Sequence, residues 1–270
     1  MRELNGRELA GFVKERQAHL MRSLRGQKIF PKLLIIRDSD NPVIVKYVNL
    51  KKQYGEDIGV DVIDQKVSDI AEACDTVRRA NEDKTISGII VQLPLLDKER
   101  TDEVVNLIAP EKDVDGLSQV VAPEKRIFES ATATAINWLL AGHGIELTDK
   151  KIALVGRGRL VGAPLERMWQ NSGYNVTVFR HDSDLSLLKD FDVIVSATGV
   201  PHLIKSNMVK PGTVVVDAGT ASEGGVLVGD VDDEVRTRND LFAITPRIGG
   251  VGPLTVSVLF EDAIAAAQHK

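Results

Sequence analysis

The sequence predicts an α/β protein of two domains, each a mostly parallel sheet covered by helices. Three observations carry that expectation. Apolar runs of strand length, such as residues 32–36, 86–93 and 152–155, alternate with segments of helical periodicity. A turn-rich break, Lys112-Asp-Val-Asp-Gly116, interrupts the alternation and marks a boundary. Beyond it, Gly156-Arg-Gly-Arg-Leu-Val-Gly162 joins an apolar strand to a helical pattern. At 270 residues the chain is long enough for two modest cores. The expected division is residues 1–118, completed by 253–270, and residues 119–252.

The elements follow in order. A first helix starts at Asn5, with Glu8 as its capping-box partner and Leu9, Val13, Leu20 and Leu24 on its core face. A buried strand occupies 32–36. Asn41 and Pro42 are N-cap and first residue of a helix running towards Gly59. Residues 60–67 predict a strand and 69–81 a helix. A buried strand over 86–93 runs into Pro94, and a helix over 104–108 ends before Pro110. After the break, a helix over 131–141 leads to the glycine junction, and strands are expected at 175–179, 192–196 and 213–217. The last helix, Leu254 to about Gln268, is alanine-rich and amphipathic. It follows the end of the second sheet and is expected to return to the first domain.

Bulk composition narrows the function. Apolar content of 43% and charged content of 27% are those of an ordinary globular protein. A net charge of −5 gives no basis for binding nucleic acid or an anionic membrane. Cys74 is the only cysteine, which excludes an intrachain disulfide and suits a reducing compartment. It has no partner at metal-ligand spacing, so it is expected to be packing and no metal site is expected. The N-terminal residues lack an apolar signal core. The longest apolar stretch, 86–96, is broken by Ser87, Gly88 and Gln92 and falls short of the roughly 20 residues that span a bilayer. A cytoplasmic protein is expected.

Five groupings carry candidate chemistry. In the glycine junction, Gly156, Gly158 and Gly162 let backbone N–H groups approach a pyrophosphate at a helix start, although the spacing is one residue longer than the usual fingerprint and an ordinary tight turn reads alike. Tyr47 and Lys51 stand at i and i+4 on one helix face. A desolvated lysine there can exchange a proton near neutrality; the alternative is an amphipathic surface pair. Gln92 is the one polar residue near the C-terminal end of an apolar strand, where open α/β sheets present ligand-facing groups, or where an amide caps the sheet end. Asp113 and Asp115 are turn formers, or one of them accepts hydrogen bonds from an amino-pyrimidine edge. A second glycine-rich loop, Thr245-Pro-Arg-Ile-Gly-Gly-Val-Gly-Pro-Leu-Thr255, opens the last helix; it holds a ligand or simply crosses between domains.

Taken together and in this order, these segments resemble the bifunctional methylenetetrahydrofolate dehydrogenase/cyclohydrolase family. The matching pieces are Tyr47-Val-Asn-Leu-Lys51, Gly88-Ile-Ile-Val-Gln-Leu-Pro-Leu95, Lys112-Asp-Val-Asp-Gly116, Gly156-Arg157, Leu160-Val-Gly-Ala-Pro164, Gly229-Asp-Val231 and Gly249-Gly-Val-Gly-Pro253. They cover essentially the whole chain. The resemblance implies a three-layer α/β folate domain and a Rossmann-like NADP domain. It implies oxidation of 5,10-methylenetetrahydrofolate with NADP, then hydrolysis of the methenyl product to 10-formyltetrahydrofolate, in a homodimer acting on tetrahydrofolate one-carbon derivatives. On the matching positions, Lys51 is the central catalytic group, Gln92 tunes it, Tyr47 stacks on the folate and Asp115 anchors the pterin edge. Val91, Leu93, Gly249, Gly250, Val251, Gly252 and Pro253 line a folate cleft between the domains. Gly156, Arg157, Gly158, Val161, Gly162, Arg180, Thr198, Gly199 and Thr220 serve the cofactor. Arg180 follows a strand where NAD-specific proteins usually carry an acid, and its charge suits a 2′-phosphate, with Asp182 and Asp184 nearby as a counter-argument.

The chain departs from the family pattern at several places. Ile44 stands for serine, Ala131-Thr-Ala-Thr134 for Pro-Cys-Thr-Pro, Gly158 for serine, Arg247-Ile248 for Val-Pro, and Glu261-Asp262 where asparagine is typical. Most of these fall on the cofactor half, which keeps a single-activity cyclohydrolase and a non-catalytic folate- or nucleotide-binding paralogue as alternatives. A shikimate dehydrogenase-like enzyme shares the Val-Gln-Leu-Pro stretch loosely but fits the Gly249–Pro253 loop poorly.

Overall fold

A computed structural model describes every residue except 220, 224, 225, 269 and 270. In chain order the first half holds β1 (Arg2–Glu3), α1 (Gly6–Gly26), β2 (Lys32–Arg37), α2 (Pro42–Ile58), β3 (Asp61–Lys66), α3 (Ile70–Glu82), β4 (Gly88–Val91) and α4 (Thr101–Val105). The second holds α5 (Ala131–Gly142), β5 (Lys151–Val155), α6 (Gly162–Asn171), β6 (Asn175–Phe179), β7 (Val193–Ser196), β8 (Val214–Asp217), β9 (Ala221–Glu223), β10 (Val226–Val228), α7 (Asp233–Arg236), β11 (Ala243–Ile244) and α8 (Val251–Gln268). Helix starts follow the expected side-chain caps. The Asn5 Oδ1 accepts from the N–H of Arg7 and Glu8, and the Asn41 Oδ1 from that of Val43 at 2.9 Å.

The chain forms two compact units, residues 11–131 with 256–270 and residues 1–10 with 132–255. In the first, a parallel sheet runs β3-β2-β4, with Leu33 opposite Gly88 and Ile36 opposite Val91. Both faces must be covered, because parallel strands this apolar cannot meet water. On one side Leu34, Ile36, Ile89 and Val91 pack with Val77 of α3 and Val104 of α4. Cys74 belongs to this core, and burial pushes its thiol up, the state of an inert packing residue. The C-terminal part of α8 is part of this unit, as expected for a returning helix. Buried Gln17 of α1 secures it, donating from Nε2 to the Ser257 carbonyl at 2.9 Å and to Glu261 at 2.8 Å. Its Oε1 accepts from the Tyr54 hydroxyl at 2.7 Å, and the Tyr54 ring stacks on Phe260 with centroids 4.9 Å apart.

The second unit carries a six-stranded sheet, parallel throughout, in the order β1-β11-β8-β7-β5-β6, with a separate antiparallel pair of β9 and β10. Its core includes Val155, Phe179, Ile194, Val215, Val235 and Ile244. Residues 1–10 differ from the expected division. Arg2–Glu3 adds the outer strand beside Ala243–Ile244, and the fully buried Leu4 donates its N–H to the Ile244 carbonyl at 2.8 Å. Strands of two residues carry no periodicity from which such a pairing can be read. Among the described residues no helix is long and apolar enough to cross a membrane.

Candidate active site

The first unit brings together Lys51, Gln92, Tyr47 and Asp115. Lys51 is buried on α2, where its cost of desolvation is met by one short contact: Nζ donates to the Gln92 Oε1 at 2.6 Å. Burial pushes the Lys51 ammonium below its ordinary range, and the Asp115 carboxylate opposes that shift. Gln92 sits just beyond β4. Its backbone N–H extends the ladder to the Ile36 carbonyl at 2.8 Å, while its Nε2 donates to the Leu93 carbonyl at 3.3 Å. The amide is thereby turned so that oxygen, not nitrogen, meets the lysine. Val91, the last residue of β4, is buried and Leu93 packs partly buried against the same core. Tyr47 lies one turn before Lys51, half-buried, and burial raises its phenol.

The two aspartates of the 112–116 turn have separate tasks. Asp113 builds the turn, its carboxylate accepting the N–H of Leu117 at 3.2 Å and Ser118 at 2.9 Å. Asp115 is partly buried. Burial pushes it up to about 6, the Lys51 charge pulls down and Asp113 pushes up. A further acid, Asp262 on α8, is pushed up to about 8, first by burial and then by the negative charges of Glu261 and Asp115. The sequence signalled Asp262 only as a departure at a position where an amide is typical. Lys51, Asp115 and Asp262 thus form one electrostatic group whose protonation states depend on each other.

In the second unit the glycine junction stands between β5 and α6. Gly156 has φ +94°, and a Cβ there would lie 2.8 Å from the Ala197 carbonyl oxygen. A Cβ on Gly162 would lie 2.2 Å from the Gly156 carbonyl oxygen. Only glycine closes this turn. Gly158 meets nothing within 4 Å of a built Cβ, so its small size leaves open space. Val161 is buried at the N-cap of α6 and no side chain caps that helix; in its first turn the Ala163 N–H goes to the Gly158 carbonyl at 3.0 Å and Pro164 has none. Arg157 reaches α6 itself, with Nε 2.6 Å from Glu166.

Thr198 and Gly199 follow β7 on the same C-terminal edge of the sheet, Gly199 with φ +70°. Arg180 is exposed just after β6, its N–H donating to the Ser183 Oγ at 2.8 Å. Asp184 spends a carboxylate oxygen on the N–H of Ser186 at 2.9 Å, capping the next turn. Thr220 lies outside the described residues. A cradle of obligate glycines, an uncapped helix start and adjacent strand ends fits a dinucleotide.

The second glycine loop differs from expectation at its end. Helix α8 begins at Val251, so Val251, Gly252 and Pro253 form its first turn instead of preceding it. Proline is tolerated there because first-turn N–H groups have no intrahelical partner. Gly249 has φ +96° and its carbonyl accepts from the Arg7 N–H at 2.9 Å. Gly250 lies close to Gly6, where a Cβ would come within 1.8 Å of the Gly250 oxygen. Among the described residues no cluster of three or more His, Cys, Asp or Glu side chains is arranged to hold a metal ion.

Comparison with known proteins agrees with this geometry. Residues 4–115 match the tetrahydrofolate dehydrogenase/cyclohydrolase catalytic domain, and residues 130–270 match the NAD(P)-binding domain of the same family. The chain is 36% identical to the bifunctional protein FolD of Lactobacillus acidophilus over 99% of its own length and 97% of the relative's. Among solved structures, the bifunctional FolD methylenetetrahydrofolate dehydrogenase/cyclohydrolase of Campylobacter jejuni superposes with a TM-score of 0.92 at 33% identity, covering 100% of this chain and 99% of that one. The Trypanosoma brucei N5,N10-methylenetetrahydrofolate dehydrogenase-cyclohydrolase, solved with NADP and an inhibitor, superposes at 0.90 with 29% identity, covering 98% and 96%. The chain belongs to the tetrahydrofolate dehydrogenase/cyclohydrolase family.

Proposed function

We propose that this protein oxidises 5,10-methylenetetrahydrofolate to the methenyl form with NADP and then hydrolyses that product to 10-formyltetrahydrofolate. The observation that carries the reading is the buried Lys51, held by the Gln92 Oε1 at 2.6 Å and pushed below its ordinary range by desolvation. A cationic methenyl substrate is repelled by a permanent ammonium, whereas a lysine that reaches its neutral form accepts a proton from the attacking water. Lys51 then returns that proton to the folate N5 as the C–N5 bond opens, while the carbinol hydroxyl loses its own proton to solvent as the formyl C=O forms. Gln92 keeps the lysine lone pair aimed, Tyr47 packs on the folate, and Asp115 accepts from the amino-pyrimidine edge. Val91 and Leu93 line the folate beside them.

NADP supplies the hydride acceptor. The residues that would hold it are Gly156, Arg157, Gly158, Val161 and Gly162 at the helix start, Thr198 and Gly199 at the strand end, Arg180 on the 2′-phosphate, and Thr220. The catalytic half is residues 1–118 as far as they share the three-stranded unit, completed by the last helix, and the Rossmann-like half follows to residue 252. The single cysteine supports a reducing cytoplasm, and family membership supports a homodimer. A spectrophotometric assay with methylenetetrahydrofolate tests the reading. Methenyl formation that is faster with NADP than with NAD, followed by its hydrolysis, is expected; no turnover of either folate would refute it.

A further inference from the structure

Outside the residues assigned above, the second unit holds a buried acidic crosspiece at the C-terminal edge of its sheet. Asp230 is fully buried, and its Oδ2 alone takes three hydrogen bonds, from the Ser196 Oγ at 2.7 Å, the Thr198 N–H at 2.7 Å and the Thr198 Oγ1 at 2.9 Å. Among the described residues its Oδ1 has no hydrogen-bond partner, and it lies against Gly219, where a Cβ would come within 1.9 Å of it. Asp217, at the end of β8, completes the frame. Its Oδ1 accepts from the N–H of Gly219 at 3.1 Å and of Asp230 at 3.0 Å, and its Oδ2 from the Val231 N–H and the Arg236 guanidinium.

A carboxylate buried this completely is a costly way to fill space, since an apolar residue of similar size does so without the desolvation penalty. What the charge does achieve is local. Among the described residues every donor to its carboxylate comes from residues 196–198, the end of β7, and its other oxygen sets how close Gly219, just after β8, can approach. Those two strand ends are where an open parallel sheet receives its ligand. The Gly229-Asp-Val231 motif therefore reaches into the cofactor edge from behind, without being among the residues given to the cofactor.

We propose that Asp230 is a positioning residue of the cofactor site, fixing the Thr198–Gly199 turn and the Gly219 backbone in the shape that receives NADP. This rests on the NADP reading above. The test uses the full chain with Asp230→Ala and Asp230→Asn, NADP affinity read by calorimetry, and hydrolysis of supplied methenyltetrahydrofolate read separately. Asp230→Ala is expected to weaken NADP about tenfold or more, the scale of hydrogen bonds to a buried charge. Asp230→Asn, which keeps an acceptor oxygen and the shape, is expected to recover most of that loss while remaining measurably weaker, and it stands in if the alanine variant does not fold. Hydrolysis should stay within about twofold in both, because it needs no cofactor. NADP affinity unchanged in a folded variant overturns the proposal, and so does loss of hydrolysis in parallel with NADP binding, which would make Asp230 a general structural residue. Wild-type protein that fails to bind NADP would instead overturn the cofactor reading and this proposal together.

Discussion

The Lys51 Nζ donates to the Gln92 Oε1 across 2.6 Å, and that contact couples a helix to the end of a strand through a charge that the site does not fully stabilise. An uncharged amide orients the lysine without fixing its charge, so the lysine can be either acid or base. A carboxylate in the same place would lock it as an ammonium.

That difference predicts the outcome of Gln92→Glu. A negative charge at hydrogen-bond distance favours the charged lysine, so the Lys51 pKa rises towards and beyond its ordinary value. The neutral lysine needed for hydrolysis is then available only at higher pH. The expected result is hydrolysis at pH 7 reduced by about tenfold or more, with the rising limb of the pH–rate profile displaced upwards by about one unit or more. A profile that overlays the wild type would show that Gln92 does not govern the lysine.

Lys51→Met keeps the length and apolar body of the side chain while removing the proton carrier. Hydrolysis should fall by about 10² to 10⁴, the range for a positioned acid–base group, and folate affinity should change by less than about threefold. Hydrolysis near the wild-type rate in that variant would remove Lys51 from the mechanism.

How much of this was legible in the sequence varied with the length of the signal. The strands 175–179 and 213–217, the capped helices from Asn5 and Asn41, and the glycine turn all appear within a residue or two of expectation, because each rests on several residues of consistent pattern. The strands Arg2–Glu3 and Ala243–Ile244 were invisible: two residues cannot show a period, and their pairing joins segments some 240 positions apart. The site divides in the same way. Spacing, and a polar residue in an apolar strand, made Tyr47, Lys51 and Gln92 candidates beside a surface pair and a sheet cap, and only the family resemblance favoured the functional reading. Nothing in spacing separated Asp113 from Asp115; only the hydrogen bonds to Leu117 and Ser118 assign the turn to the first. Asp230 stood in the quoted Gly229-Asp-Val231 motif, but its role was hidden because its partners, Ser196 and Thr198, are more than thirty residues away.

The cofactor side has its own test. Arg180 is exposed just after β6, and Asp184 is occupied in capping the following turn, which supports the proposal that Arg180 reads the 2′-phosphate. Arg180→Ala should weaken NADP by about tenfold, the worth of a charge-assisted contact, and change NAD by less than about twofold. Equal losses for the two dinucleotides would show that the arginine does not read the 2′-phosphate.

Asp262 supplies a pH-dependent stability prediction. Burial, Glu261 and Asp115 together push its carboxyl up to about 8, against about 4 in an unfolded chain. An acid whose folded value is raised binds its proton more tightly in the folded state, so between about pH 4 and pH 8 folding becomes steadily less favourable as pH rises. The penalty is complete above pH 8 and absent below pH 4. Asp262→Asn keeps the shape and cannot ionise. It should therefore stabilise the protein at pH 9 by about 1–3 kcal/mol, an allowance that discounts the full linkage for partial solvent access, and change little at pH 4. Urea unfolding of both proteins at the two pH values reads this directly. A gain of the same size at pH 4 and pH 9 would mean that the amide improves packing and that the charge of Asp262 is not what the fold resists.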